Sequence, residues 1–228
     1  MLTPYDWQES ITHRASYVNA RLETGSPVLA ISLDQGVLIF TVRRHTRKIF
    51  EIYDRLAYSA IGQQSDVESL RVAAVEFAHQ EGFQRSESDV TIQRVVGALS
   101  QPLKRAFGDL TSAPFVVRAL FVQLGRTPAD DLYQILDYDG DFTQRRERAY
   151  LAGSPEAVSA LSERLAEIPL EGLTVEQAVP LLQPVWARGI APEGDKDFAE
   201  LTRDLTPEAA LLERGKEGPS RFQTLFGA

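Results

Sequence analysis

The chain has 228 residues with 24 Lys and Arg against 32 Asp and Glu, a formal net charge of −8, which excludes a long phosphate-tracking surface and argues against nucleic acid as a partner. It contains no cysteine, so disulfides, thiolate nucleophiles and iron–sulfur or zinc-ribbon ligand sets are ruled out. With 43% hydrophobic residues, no apolar run near the roughly 20 residues of a membrane span and an acidic, polar start unlike a secretion signal, it reads as a cytoplasmic globular protein of one large domain or two small ones.

Thr3, Pro4 and Asp6 read as a helix start: a hydroxyl cap, a proline where the first amide needs no partner, and a carboxylate at the positive helix end. Trp7, Ile11, Ala15, Val18 and Leu22 are spaced by four and three, which predicts a helix from Thr3 to Leu22 with one stripe to be covered. Beyond Thr24-Gly25-Ser26-Pro27 the texture becomes β-branched. Strands are predicted at Val28 to Leu33, Val37 to Val42, Ile49 to Tyr53 and Leu56 to Ile61, the last apolar throughout and so buried on both faces. Ser65-Asp66-Val67-Glu68 has the form of a capping box opening a helix with Val67, Leu70, Ala74 and Phe77 inward, which Gly82 is expected to stop. A second helix is predicted from about Ser88, carrying Ile92, Val96, Leu99, Leu103 and Phe107 on one face and a kink at Pro102, with a loop from Gly108 to Pro114.

Strands return at Phe115 to Leu124 and Leu132 to Tyr138, and Asp139-Gly140 is a hairpin signal leading to a strand near Arg148 to Leu151. Ser154-Pro155-Glu156 starts a helix with Val158, Leu161, Leu165 and Ile168 inward, and Thr174-Val175-Glu176-Gln177 is a capping box for the next. Gly189 to Arg203 reads as a polar linker. Glu208 to Glu213 and Arg221 to Phe226 close the chain as strands around a turn from Gly215 to Pro219. Helix pairs alternating with strand meanders do not make βαβ units. They predict an α+β fold with two antiparallel sheets face to face and helix pairs outside, a four-layer αββα sandwich.

The three histidines, His13, His45 and His79, share no ligand spacing, so no metal centre or triad is expected from them, and no cofactor either. Asp137-Tyr138-Asp139-Gly140-Asp141 has its glycine too early for a calcium loop and reads as a hairpin turn. Arg43-Arg44-His45-Thr46-Arg47-Lys48 is a dense basic run between two strands, open to two readings: a solvated turn or a site for a carboxylate partner. The phosphate-loop, nucleophile-elbow and dinucleotide-binding glycine motifs are absent from the sequence. An αββα sandwich can nonetheless belong to hydrolases whose nucleophile is a freed amino-terminal Thr, Ser or Cys leading a strand, with its own amine as base. Gly25-Ser26 stands where such a cleavage falls.

The run Arg47-Lys48-Ile49-Phe50-Glu51-Ile52-Tyr53-Asp54-Arg55-Leu56-Ala57-Tyr58-Ser59-Ala60-Ile61-Gly62, followed by Asp66-Val67-Glu68-Ser69-Leu70-Arg71 and Phe77-Ala78, resembles 20S proteasome α subunits, most nearly the actinobacterial kind. The resemblance runs over most of the chain and is poor only from Gly189 to Thr206. It implies one proteasome α-type domain over 1–228, with a gate and α-specific helix in 1–25 and the sandwich in 26–228. It sets Ser26 near the β-subunit nucleophile position, Val42 at the position of the catalytic acid and Lys48 at that of the catalytic lysine, so the acid is missing. The implied function is a non-catalytic subunit of a heptameric outer ring, stacked on a β ring, gating an axial opening and docking a hexameric ATPase unfoldase.

By the same resemblance, Lys48 lies in a pocket between adjacent α subunits and receives the terminal carboxylate of the activator's tail, with Gly62 leaving backbone room for it. Gly108, Asp109, Leu110, Thr111 and Ser112 form the pore loop, and Trp7, Ile11, Ala15 and Val18 lie at the ring interface. The helix from Ser65 packs on neighbouring α subunits and Val96, Leu99 and Leu103 meet the β ring. Archaeal and eukaryotic α subunits carry a longer patterned tail where this sequence has Met1-Leu2-Thr3, a difference that bears on how tightly the pore closes. Two other readings are weighed against this one: a self-processing peptidase using Ser26, and a self-assembling ring without a β partner.

Overall fold

Every residue of β1 (Val28–Leu33) is buried, because its two faces meet different layers. In the computed structural model, which describes residues 4–194, 196–216 and 220–227, Val28 and Ala30 face a core between two sheets while Leu29 and Ile31 face a pair of helices. The same alternation runs through β2 (Gly36–Arg43), with Val37 and Ile39 on one side and Leu38 and Phe40 on the other. A strand apolar at both parities is stable only when covered on both faces.

The remaining strands are β3 (Ile49–Tyr53), β4 (Leu56–Gly62), β5 (Val117–Gln123), β6 (Leu132–Leu136), β7 (Phe142–Arg145), β8 (Arg148–Leu151), β9 (Thr206–Glu213) and β10 (Phe222–Phe226). They form two antiparallel five-stranded sheets, β10-β9-β2-β1-β8 and β3-β4-β5-β6-β7. Helices α2 (Gln64–Gln84) and α3 (Ile92–Gly108) cover the second sheet, and α4 (Pro155–Ala166) and α5 (Val175–Ile190) cover the first. The four-layer αββα sandwich expected from element order is the architecture found. Ser154 caps α4 by accepting from the Ala157 amide, and the Thr174–Gln177 box at α5 is reciprocal.

Several local expectations are corrected. The residues Ser65 to Glu68 do not form a capping box: α2 starts at Gln64 with Gln63 as its uncapped N-terminal flank, the Asp66 carboxylate accepts the Val116 amide and Glu68 pairs with Arg71. Gly82 does not stop α2. It lies inside the helix, at a position where a Cβ would meet the Tyr53 hydroxyl at 2.2 Å. Ser88 belongs to a short 3-10 turn (Glu87–Asp89), and α3 begins only at Ile92, capped by Thr91. Val158 is exposed rather than inward. The Asp139-Gly140 turn leads not to β8 but to β7, which pairs with β6; Glu147, at φ 62°, then turns the chain across to the other sheet. The polar linker is structured in part, with α5 reaching Ile190 and a four-residue helix α6 at Phe198–Leu201.

Helix α1 (Pro4–Leu22) closes one end of the sandwich. Its stripe divides: Val18 and Leu22 are wholly buried in the inter-sheet core and Ala15 packs against it, whereas Tyr5 is 82% and Trp7 50% exposed. Val18 is therefore an interior residue, and the apolar surface α1 offers lies toward Trp7 and Ile11. Val96, Leu99 and Leu103 are likewise corrected, since all three are buried against the chain's own second sheet and present nothing to a β ring. Thr3 and residues 217–219 of the closing turn lie outside the described residues.

Candidate functional site

Where β1 begins, the chain is fixed by its own backbone. The Pro27 carbonyl accepts from the Thr41 hydroxyl at 2.6 Å and from the Trp186 indole at 3.0 Å, and the Ser26 hydroxyl donates to the Val42 carbonyl at 2.5 Å. Lys48, immediately before β3, reaches back so that Nζ donates to the Ser26 carbonyl at 2.6 Å. Behind it Glu208, wholly buried on β9, accepts the backbone amides of Lys48 and Ile49 at 3.0 Å each, and Arg43 Nε stands 3.4 Å from the same carboxylate. Burial pulls Lys48 down from its usual 10.5 to about 7, and the nearby Glu208 charge offsets only part of that.

These residues open onto one cleft of about 470 Å³. The structure brings Ser26, Val42, Lys48 and Gly62 to its wall together with Arg21, Arg43, Arg44, His45 and Arg47, and among the described residues no carboxylate lines it. Trp186, Ile190, Leu201 and Leu205 also line it. On a chain of net charge −8, a concavity lined by five arginine and lysine residues, one of them paired with Glu208 behind the wall, and by no acid among the described residues favours an anion. The apolar wall adds room for hydrocarbon beside it. The whole basic run at 43–48 lines this cleft.

The reason given for Gly62 is corrected. Its φ is +137°, and a Cβ there would fall 2.1 Å from the Val116 carbonyl oxygen, so the glycine is required by the β4–β5 pairing and the space it leaves is already filled. Gly62 still lines the cleft. Sequence reasoning missed Glu208, Arg21 and Trp186. Glu208 was legible only as one charge near the start of the otherwise apolar strand Ala209 to Leu212, a position where an exposed edge residue is the usual reading.

As the chain stands, Ser26 carries an ordinary peptide nitrogen, and a free amine to act as base would arise only on cleavage before it. The Val42 side chain is buried and aliphatic, and its carbonyl holds the Ser26 hydroxyl. The segment Gly108 to Ser112 lies at another part of the molecule. Gly108 is the last residue of α3, and the loop proper starts at Asp109, whose carboxylate accepts from the Thr111 amide at 2.9 Å and hydroxyl at 2.6 Å and from the Ser112 hydroxyl at 2.9 Å. These bonds hold the Asp109 carboxyl below the usual range. Arg14 of α1 donates to the Ser112 and Ala106 carbonyls, which ties this loop to α1. Asp137 to Asp141 forms the expected turn, with Gly140 N–H donating to the Asp137 carbonyl and Arg118 paired to the Asp137 carboxylate.

Two sheets between helix pairs, with a serine leading β1 and a lysine on its carbonyl but no acid, define the amino-terminal-nucleophile sandwich in a form without its catalytic set. The family model described as "Proteasome subunit" matches residues 22–185. "Proteasome subunit alpha" of Xylanimonas cellulosilytica is 31% identical, covering 97% of this chain and 90% of that protein. The proteins of the same name from Kineococcus radiotolerans and Acidothermus cellulolyticus are 30% and 28% identical, each covering all of this chain and 95% and 96% of their own lengths. The chain belongs to the proteasome subunit family, on the side of its non-catalytic α subunits.

Proposed function

We propose that this chain forms the heptameric outer ring of a cytoplasmic proteasome core particle, stacks on a ring of β subunits, gates the axial opening and docks a hexameric ATPase unfoldase. The observation that carries the docking is the cleft with five cations and no carboxylate, at whose base Lys48 waits with a neutral carbonyl as its hydrogen-bond partner. Lys48 takes the terminal carboxylate of the ATPase tail, and Gly62 is part of the wall. Residues 108–112 line the pore: small, polar and braced by Asp109, they suit a water-filled annulus that keeps its shape. Residues 1–228 act as one domain in which 1–25 contribute the gate and the ring-forming helix. Trp7 and Ile11 lie on the face that meets the neighbouring subunit, because a half-exposed tryptophan beside an exposed tyrosine is apolar surface awaiting a partner, whereas Ala15 turns to the chain's own core.

On this reading all hydrolysis belongs to the β subunit. In particles reconstituted from this chain and β, the Ser26→Ala variant is expected to cleave fluorogenic peptides at the wild-type rate, and this chain alone to give background turnover. A peptide signal from the chain alone that disappears with Ser26→Ala contradicts the assignment.

A further inference from the structure

Lys48 is placed so that its charge has no partner of its own. Among the described residues, Nζ makes one hydrogen bond, to the uncharged Ser26 carbonyl, and no carboxylate reaches ion-pair distance. The nearest acid, Glu208 from β9, is already taken by two backbone amides and Arg43. The other charged or titratable groups facing the cleft are Arg21 from α1 and Arg43, Arg44, His45 and Arg47 around the β2–β3 connection. The described lining residues from β4, α2, α5, α6 and the segment after it bring no charge. An ammonium in this position has a neutral acceptor as its one hydrogen-bond partner, and the Glu208 charge behind it offsets only part of the cost of its burial.

We propose that an anionic chain end and a proton enter this cleft together, so that docking weakens as the pH rises. This rests on the reading of the cleft as the activator's docking site and adds how that docking is regulated. Burial alone brings Lys48 to about 7 in the empty cleft. An incoming carboxylate supplies the missing counter-charge and raises the lysine's proton affinity. Binding then takes up a proton wherever the free lysine has lost one, at and above about pH 7. The same group bears on stability with the opposite sign. The unfolded chain holds this proton up to 10.5, so the charged form is disfavoured by folding and this contribution to stability rises with pH between about 7 and 10.5.

The test is calorimetric titration of the assembled full chain with a synthetic peptide copying the carboxyl terminus of the ATPase, its carboxylate free, in buffers of different ionisation enthalpy. Uptake of about half a proton per peptide at pH 7, approaching one at pH 8, is expected, with affinity about tenfold weaker at pH 8 than at pH 6. Lys48→Arg, charged throughout this range, should lose the uptake, and His45→Gln should keep it. Binding that is equally tight at both pH values with no proton uptake overturns the coupling while leaving the docking intact. Uptake that vanishes in His45→Gln moves the coupling from Lys48 to the rim and overturns it as stated. Absence of binding at pH 6, where Lys48 carries its charge, overturns the docking reading itself.

Discussion

Lys48→Ala is expected to leave assembly intact and to weaken docking of the activator tail by about 30-fold, so that ATPase-stimulated degradation of a folded substrate falls to the unstimulated level. A partly desolvated carboxylate–ammonium contact is worth about 2 kcal/mol or more, which is this factor in affinity. Assembly is spared because the start of β3 is held through the Lys48 and Ile49 backbone amides, which the substitution keeps, and only one hydrogen bond to Ser26 is lost. Small-peptide hydrolysis by the particle should be unchanged, which separates a docking defect from a damaged core. Undiminished affinity for the tail peptide contradicts the role assigned to Lys48.

Glu208→Ala should be the most destabilising single change around the cleft. Its carboxylate has no exposure, and removing it strands two backbone amides and leaves Arg43, itself only 12% exposed, without its counter-charge. Breaking one side of such a buried arrangement costs about 3–5 kcal/mol, which for a chain of this size lowers the melting temperature by about 10 °C. Glu208→Gln retains one acceptor for the amides and should lose less. Because β3 begins at these amides, the alanine variant should also lose tail docking at temperatures where it stays folded. A melting shift below about 2 °C contradicts the view that Glu208 anchors the strand that presents Lys48.

What could be read from residue order was the layering. β1 and β3 fall at the predicted Val28–Leu33 and Ile49–Tyr53, and the Thr174 box opens α5 as read, because hydrophobic parity and capping are local signals. Failures arose where a distant residue decides. Gly82 looks like a helix stop although it lies inside α2 against Tyr53, and Ser65 looks like a cap although α2 already starts at Gln64 and Glu68 pairs with Arg71. β7 escaped notice because all four of its residues are exposed, leaving no apolar alternation to find. In the site, Ser26, Val42 and Lys48 were visible through resemblance. The absence of any acid from the cleft wall, and Glu208 behind it, depend on β9 folding back from 160 residues away and have no local signature.

The most direct test of the α-subunit account is the native mass of this chain with and without a proteasome β subunit, for the wild type and for Trp7→Glu. The wild type is predicted to appear with β as a single high-mass particle of stacked heptameric rings, and Trp7→Glu, which sets a charge on the exposed half of the α1 stripe, to fall to smaller species. A chain that stays at its monomer mass of 25.4 kDa whether or not β is present contradicts the account.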